Sequence, residues 1–403
     1  MLSKIKAWLG SLIPGIITVA IIFGPSKITI TSKLGAQFGY SLLWIIPVAI
    51  FFLVIYTGIS SRIGLASNHS LLTTIRNLWG GWAAKIIGIG IFLVTASFQA
   101  GNAVGSGIAI AELSHTSMVF WVVLTSVCGI LLLFAKQFYK VLSNLMILAV
   151  ILMLLAFLLT SIIARPSLKG IAGGFIPSIP AGSEGLVIAF MASCFSIVGA
   201  FYQSYVVQQR RRAMGEKEQA DMKDRSLTGM IMLGIMSAAV MICASAVLFQ
   251  AGTPIISAAD MGKALEPLFG DGATKLFLFG LFGASFSSLV GNATLGGTLL
   301  ADAFGWGQNL NDKKVKFCIA AIMIVGAFVA IAYGGAPLQL IVLAQALTIF
   351  VVPVIGFAMY RVSCNKSIMG NRVSNTWQKI FGFIGLLLVL FLAISNAIKL
   401  FFN

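Results

Sequence analysis

Gly24-Pro25-Ser26-Lys27 stands inside the first long apolar run of the chain, residues 11–38, and its reading decides the fold. Proline removes an amide donor and clashes with the preceding helical turn, and glycine tolerates dihedrals other residues avoid, so the run is expected to split here into two half-helices. In a bilayer, interrupted backbone is tolerated only where it is buried in protein or lines a cavity. Lys27 adds a charge at the same depth. An ionisable group at the bilayer centre costs about 2.5–3.5 kcal/mol on insertion scales and reads by default as functional. The half-helix that starts after the break would aim free amides and its positive dipole end into that cavity.

The rest of the chain has the same apolar character. Of its 403 residues 59% are hydrophobic and 9% charged, which describes a protein made mostly of transmembrane helix, with no soluble domain of useful size. About 20 apolar residues in a helix cross about 30 Å of hydrocarbon. Runs of that kind give eleven candidate spans, at 11–38, 43–61, 82–111, 119–135, 142–163, 184–209, 227–250, 273–302, 316–333, 338–360 and 380–401. The short alternating runs of a membrane barrel are absent. Residues 1–403 thus read as a single transmembrane domain in a lipid bilayer.

A net charge of +16 would suit nucleic acid, but its distribution fits membrane topology. With the N-terminus inside, twenty cations fall on inner segments, among them Lys4, Lys6, Arg62, Arg76, Lys136, Arg210, Lys313 and Arg361. Six fall outside: Lys33, Arg165, Lys169, Lys263, Lys275 and Lys399. The bias predicts a cytoplasmic N-terminus and an external C-terminus, with no nucleic-acid partner; the membrane expected is a prokaryotic plasma membrane. The stretch Arg210 to Arg225, which also holds Glu216, Glu218, Asp221 and Asp224, then serves as an orientation signal on an inner loop. Lys4 and Lys6 before an apolar run resemble a signal peptide, yet no small-residue cleavage site precedes the break, so the run reads as a retained first helix.

Chemistry-bearing residues are few. Cys128, Cys194, Cys243, Cys318 and Cys364 lie mostly in apolar runs without CxxC spacing and read as packing residues. The carboxylates fall in loops or at helix ends, and His69 and His115 lie in connecting segments, so neither a resident metal nor a cofactor is assigned. No Ser-His-Asp set or phosphate loop points to catalysis. The sixth span is the second interrupted segment, where Ser193, Ser196, Gly199, Gln203 and Ser204 break an apolar run. A polar stripe of that kind also serves helix packing. Broken segments at corresponding positions of two halves, here the first and the sixth, point to a transporter built from inverted repeats.

Leu12-Ile13-Pro14-Gly15, the break at residues 24–27, and Gly35-Ala36-Gln37-Phe38-Gly39-Tyr40-Ser41-Leu42-Leu43-Trp44 together resemble, without a gap, the opening of the Nramp divalent-metal transporters. Ser60-Ser61-Arg62-Ile63-Gly64-Leu65-Ala66 is similar to that family's second-helix ending, and Val104-Gly105-Ser106-Gly107-Ile108-Ala109-Ile110 to its third helix. Ala344-Gln345 through Pro353, on to Arg361 and Met369-Gly370, is similar to its tenth helix and following loop. The resemblance covers nearly the whole chain. It implies an all-α membrane protein of LeuT-like fold, with two inverted five-helix repeats at about 11–163 and 184–360, an eleventh helix at about 380–401, and substrate between broken helices one and six.

The family's functional positions are changed almost one by one. Its first-helix motif reads Asp-Pro-Gly-Asn, whose Asp and Asn bind the metal; Gly24-Pro25-Ser26-Lys27 stands there instead. Phe201-Tyr202-Gln203-Ser204 and Val207-Gln208-Gln209-Arg210 align with its Phe-Leu-His-Ser and Val-Gln-Ser-Arg stretches, which puts its Met-Pro-His motif on Ser196-Ile197-Val198. The thioether ligand becomes a hydroxyl, and two histidines associated with proton movement become Val198 and Gln203. An acidic pair of the proton route aligns with Gln99 and Asn102, while Gln345 matches a glutamine near the metal.

A divalent cation about 4 Å from a protonated lysine is repelled by roughly 8 kcal/mol at an effective dielectric of 20. The expected substrate is therefore a small inorganic or organic anion, an oxyanion such as bicarbonate or a small carboxylate. It would be held by Gly24, Pro25, Ser26, Lys27, Thr29, Phe195, Ser196 and Gln345 while helices one and six rock against three, four, eight and nine. Gln99, Asn102, Gln203 and Asn292 are expected along the pathway, although Gln99, Asn102, Asn292 and Thr294 suit interhelical hydrogen bonds too. Three other readings stand beside this one. The chain would be a divalent-cation transporter using backbone carbonyls and hydrated metal, as the resemblance implies for magnesium-carrying relatives with a larger, wetter site. It would be a transport-dead sensor or scaffold. Or Lys27 would merely snorkel from a helix end or tie down broken backbone.

Overall fold

A computed structural model of the chain describes residues 23–134, 136–213, 226–333 and 337–401. Every regular element among them is helical, as a bilayer demands, because each segment must satisfy its own backbone polar groups. The principal helices in chain order are α1 (Pro25–Phe38), α2 (Ile45–Ala66), α3 (Leu71–Trp79), α4 (Gly81–Ser114), α5 (Met118–Leu132), α6 (Lys136–Ile163), α7 (Leu168–Gly173) and α8 (Glu184–Phe195). There follow α9 (Ile197–Ala213), α10 (Ser226–Ala244), α11 (Ala258–Gly262), α12 (Ala273–Ala303), α13 (Lys313–Tyr333), α14 (Pro337–Thr348), α15 (Val352–Ser363) and α16 (Thr376–Phe401). Among the described residues, nine helical stretches are long and apolar enough to cross a membrane, and Met118–Leu132 is a shorter apolar helix.

The expected spans from the second onward match these helices to within a few residues. The first half of the first span, with Leu12 to Gly15, lies outside the described residues, as does 214–225 of the basic loop. Two features depart from the sequence reading. The tenth span is divided between Thr348 and Val352. The connection after α2 contains α3, where the Ser70 hydroxyl accepts the Thr73 amide at 3.0 Å as an N-cap and Leu71, Leu72 and Ile75 turn inward.

The bundle has two chemically distinct ends. At one, Arg62 donates to the Arg372 carbonyl and Gln378, Arg76 to the carbonyls of Asp302 and Ala303, and Arg211 to the carbonyls of Leu65 and Ser67. Lys316 lies over the Phe134 ring and Lys314 over Trp306 at this same end. These contacts gather the C-termini of α2, α5, α9 and α12 with the N-termini of α13 and α16 into a basic end. At the opposite end Glu112 accepts the amides of Ala258 and Ala259, Lys399 pairs with Glu184, and the Trp44 indole donates to the Ser178 carbonyl.

Packing concentrates on small residues. A Cβ at Gly64 of α2 would lie 2.5 Å from the Ser204 carbonyl oxygen of α9, so only glycine lets these helices meet this closely. One apolar core gathers Phe157, Phe277, Leu281, Leu289 and Met323; a second gathers Tyr56, Phe190, Phe195 and Ile355. The site lies where helices of both cores meet.

Candidate functional site

Gly24 is extended, at φ −75° and ψ 177°, and Pro25 opens α1, where its missing N–H costs nothing and its fixed φ favours the first turn. The amides of Lys27 and Ile28 both donate to the Gly24 carbonyl, at 3.1 and 3.3 Å. The break rests on α4: a Cβ at Gly105 would lie 2.6 Å from that of Pro25, and one at Gly101 would lie 3.0 Å from the Ser26 hydroxyl. The second break is one residue long. Between α8 and α9, Ser196 takes the left-handed conformation, φ 36° and ψ 48°, which costs a residue with a Cβ about 1–2 kcal/mol. Gly199 leaves room for its hydroxyl, which a Cβ there would approach to 2.8 Å.

The two breaks face one cavity of about 610 Å³, whose polar lining includes Ser26, Lys27, Asn102, Ser196, Gln203 and Gln345. Its wall continues to Leu132, Leu133, Met230 and Leu310, toward the basic end. Lys27 is 7% exposed, and among the described residues no ion pair or hydrogen bond engages its amine; Cys194, beside the second break, is its titratable neighbour. Gln345 is 2% exposed, and its side-chain oxygen is buried without a hydrogen-bond partner. Ser97 fixes the adjoining backbone by donating to the Ala344 carbonyl at 2.7 Å.

Not every expected residue reaches the cavity. Gly24, Ser26, Lys27, Asn102, Ser196, Gln203, Asn292, Thr294 and Gln345 line it; Pro25, Thr29, Gln99 and Phe195 do not. Pro25 packs on Gly105, and Thr29 is fully buried with its hydroxyl unpartnered. Phe195 packs against Phe52 and Tyr56, at centroid distances of 6.0 and 5.1 Å. Gln99 donates to the Leu289 carbonyl at 2.9 Å, while Asn292 donates to Gln99 at 3.1 Å and to the Thr95 carbonyl at 2.8 Å. Gln99 and Asn292 thus staple α4 to α12.

Sequence reasoning passed over Asp302, at the end of α12. It is 4% exposed, and one of its carboxylate oxygens accepts from Tyr205 at 2.6 Å and from Ser70 at 2.7 Å. Its position at a helix end suggested solvent; only the fold reveals that α3 and α9 cover it. Among the described residues no three of His, Cys, Asp and Glu gather as a metal-binding group, so any cation in the cavity meets neutral oxygens.

An all-helical membrane protein with a cavity between two interrupted helices has the architecture of a membrane transporter. Residues 15–399 match the family described as "Natural resistance-associated macrophage protein-like", and the chain belongs to this family, Nramp. Among its relatives is the divalent metal cation transporter MntH of Caldanaerobacter subterraneus subsp. tengcongensis, 27% identical over 310 residues, which are 74% of this chain and 70% of the relative. A solved manganese transporter of Eremococcus coleocola superposes with TM-score 0.76 at 18% identity, covering 98% of this chain and 89% of that one. MhsT in complex with L-phenylalanine superposes with TM-score 0.60 at 15% identity, over 94% and 98% of the two chains. The chain is an integral membrane protein of LeuT-like fold, with two inverted five-helix repeats and an eleventh helix.

These relatives overturn the expectation of an anion as cargo or partner, since those of the same family are named for divalent metal cations or manganese. The physical reason lies in the donors. Of the free amides expected at the start of α1, Pro25 supplies none and that of Lys27 is spent on the Gly24 carbonyl, and the Thr29 hydroxyl lies outside the cavity. A lysine's formal charge does not by itself fix the cargo, because the same cavity also presents an unpartnered acceptor, the Gln345 oxygen.

Proposed function

We propose that this chain is a divalent metal cation transporter in which the ion stays largely hydrated and meets neutral oxygens. The observation that carries this reading is the unpartnered Gln345 oxygen, an acceptor that a cation or its water satisfies and an anion does not. Asn102, Ser26 and Ser196 supply further neutral oxygens around the cavity. Its volume of about 610 Å³ suits a hydrated ion, with room for roughly twenty waters at about 30 Å³ each. An ion that keeps its first water layer sits roughly 6.5 Å from the Lys27 amine. At the same effective dielectric of 20 the repulsion there is about 5 kcal/mol, against roughly 8 for a bare ion in contact, and the water the ion keeps lowers it further. Lys27 then acts as a filter against dehydrated binding.

The same proposal includes the layout. Residues 1–403 form one transmembrane domain, with repeats at about 11–163 and 184–360 and an extra helix at about 380–401. The N-terminus is cytoplasmic and the C-terminus external, in a prokaryotic plasma membrane, and no catalysis is assigned.

Uptake of labelled manganese and magnesium into proteoliposomes tests this reading. Wild type is expected to carry at least one of them, and Gln345→Ala to lower uptake about tenfold. Lys27→Asp replaces repulsion with attraction and should tighten metal binding by tenfold or more, read by calorimetry. Failure of the wild-type protein to carry or bind either ion would sink the proposal.

A further inference from the structure

Helix α9 faces the cavity on one side and packs against its neighbours on the others. Tyr202, Gln203 and Val206 line the cavity. On the side away from the cavity the Ser204 amide donates to the Ser60 hydroxyl at 3.1 Å and Gln208 donates to the Ser67 carbonyl at 3.0 Å; on the flank between, Tyr205 stacks on Tyr202 with ring centroids 5.8 Å apart and donates to Asp302 at 2.6 Å. The first two bonds strap α9 to α2 and the segment after it, so these move as one body. Tyr205 is different, because it reaches across to α12, which α4 holds through the Gln99–Asn292 staple.

Asp302 is built to receive it. Its carboxylate is buried, and among the described residues no cation lies within ion-pair distance. Two hydroxyls meet one of its oxygens, from Tyr205 and from Ser70, the N-cap of α3. Arg76 reaches the same turn, donating to the carbonyls of Asp302 and Ala303 at 2.8 and 2.9 Å. Hydrogen bonds to a carboxylate are short and roughly twice as strong as neutral ones, and a buried carboxylate without a cation is costly to keep. A bond of this strength on the flank of α9 fixes the helix against α12 in its present position, with the cavity reaching toward the basic end.

We propose that Tyr205, Asp302 and Ser70 form the joint that holds the basic end of the cavity open. Closing that end requires Tyr202 and Val206 to advance toward the wall formed by Leu133 and Met230, and Tyr205 must leave Asp302 as they do. These are positioning residues: they touch no cargo and act through α9.

The test reads the two ends of the path separately, by N-ethylmaleimide labelling of single added cysteines in the full-length protein, followed by mass spectrometry. Val206→Cys reports the basic end and Thr29→Cys the opposite half of α1. Adding Tyr205→Phe, which keeps the ring and removes the hydroxyl, is expected to slow labelling at residue 206 at least fivefold and to speed it at residue 29. Ser70→Ala should shift both rates in the same directions, and it carries the test if Tyr205→Phe does not fold. General loosening would speed both sites together. That result, or unchanged rates at both, overturns the proposal, whatever the cargo.

Discussion

A Cβ at Gly105 would lie 2.6 Å from Pro25 and would also strike the Ser285 hydroxyl, so the first break is seated by a residue that contributes no side chain. Overpacking of this kind costs about 1–3 kcal/mol. A site of this sort tolerates displacements of about 0.5 Å, so Gly105→Ala is expected to reduce metal uptake more than tenfold while lowering the melting temperature only modestly. Gly101→Ala meets only the rotatable Ser26 hydroxyl at 3.0 Å and serves as the milder comparison. Equal effects of the two alanines on uptake would show that the seating of Pro25 is unimportant. Lys27 carries a different lesson at this scale. Its presence in the cavity lining was legible from Gly24-Pro25-Ser26-Lys27 alone, but its bearing on cargo was not, because sequence cannot show which neighbouring donors and acceptors are already engaged.

At the scale of elements, α1 holds an unusual group: the hydroxyls of Thr29, Thr31 and Ser32 are all buried and without partners. A buried hydroxyl left unpaired costs about 1–3 kcal/mol, and valine matches threonine in shape without that cost. Thr29→Val and Thr31→Val should each stabilise this conformation by about 1 kcal/mol, raising the melting temperature in detergent. If opening the other end hydrates these hydroxyls, the same variants slow turnover; destabilisation by either valine would contradict the idea that they lack partners. Most elements were legible because apolar runs of helical length leave the backbone no alternative in a membrane. The division of the tenth span was not. Thr348 to Val352 contains no glycine, and its Pro353 falls inside α15, at a position where a helix accepts proline. Nor was α3, which is too short and polar to register as a span. Asp302 escaped notice because burial at a helix end is a tertiary fact.

For the whole molecule, the proposed inside orientation of the basic end puts the mouth of the cavity on the cytoplasmic side, where the proposed metal cargo is released if the protein runs as an importer. The driving force then comes from the membrane itself. Two positive charges crossing an inside-negative potential of 100 mV gain about 4.6 kcal/mol, enough for more than about a thousandfold accumulation. Proton coupling adds nothing essential to that, and the positions aligned with the family's proton route are here Gln99, Asn102, Val198 and Gln203, none of which titrates. Gln99 is moreover locked to α12 by its bonds with Leu289 and Asn292. Metal uptake into proteoliposomes is therefore expected to follow a potassium potential set with valinomycin and to ignore an imposed pH gradient, with no proton movement seen by an internal pH dye. Uptake that follows the pH gradient at zero potential would mean that a proton path exists elsewhere in the bundle.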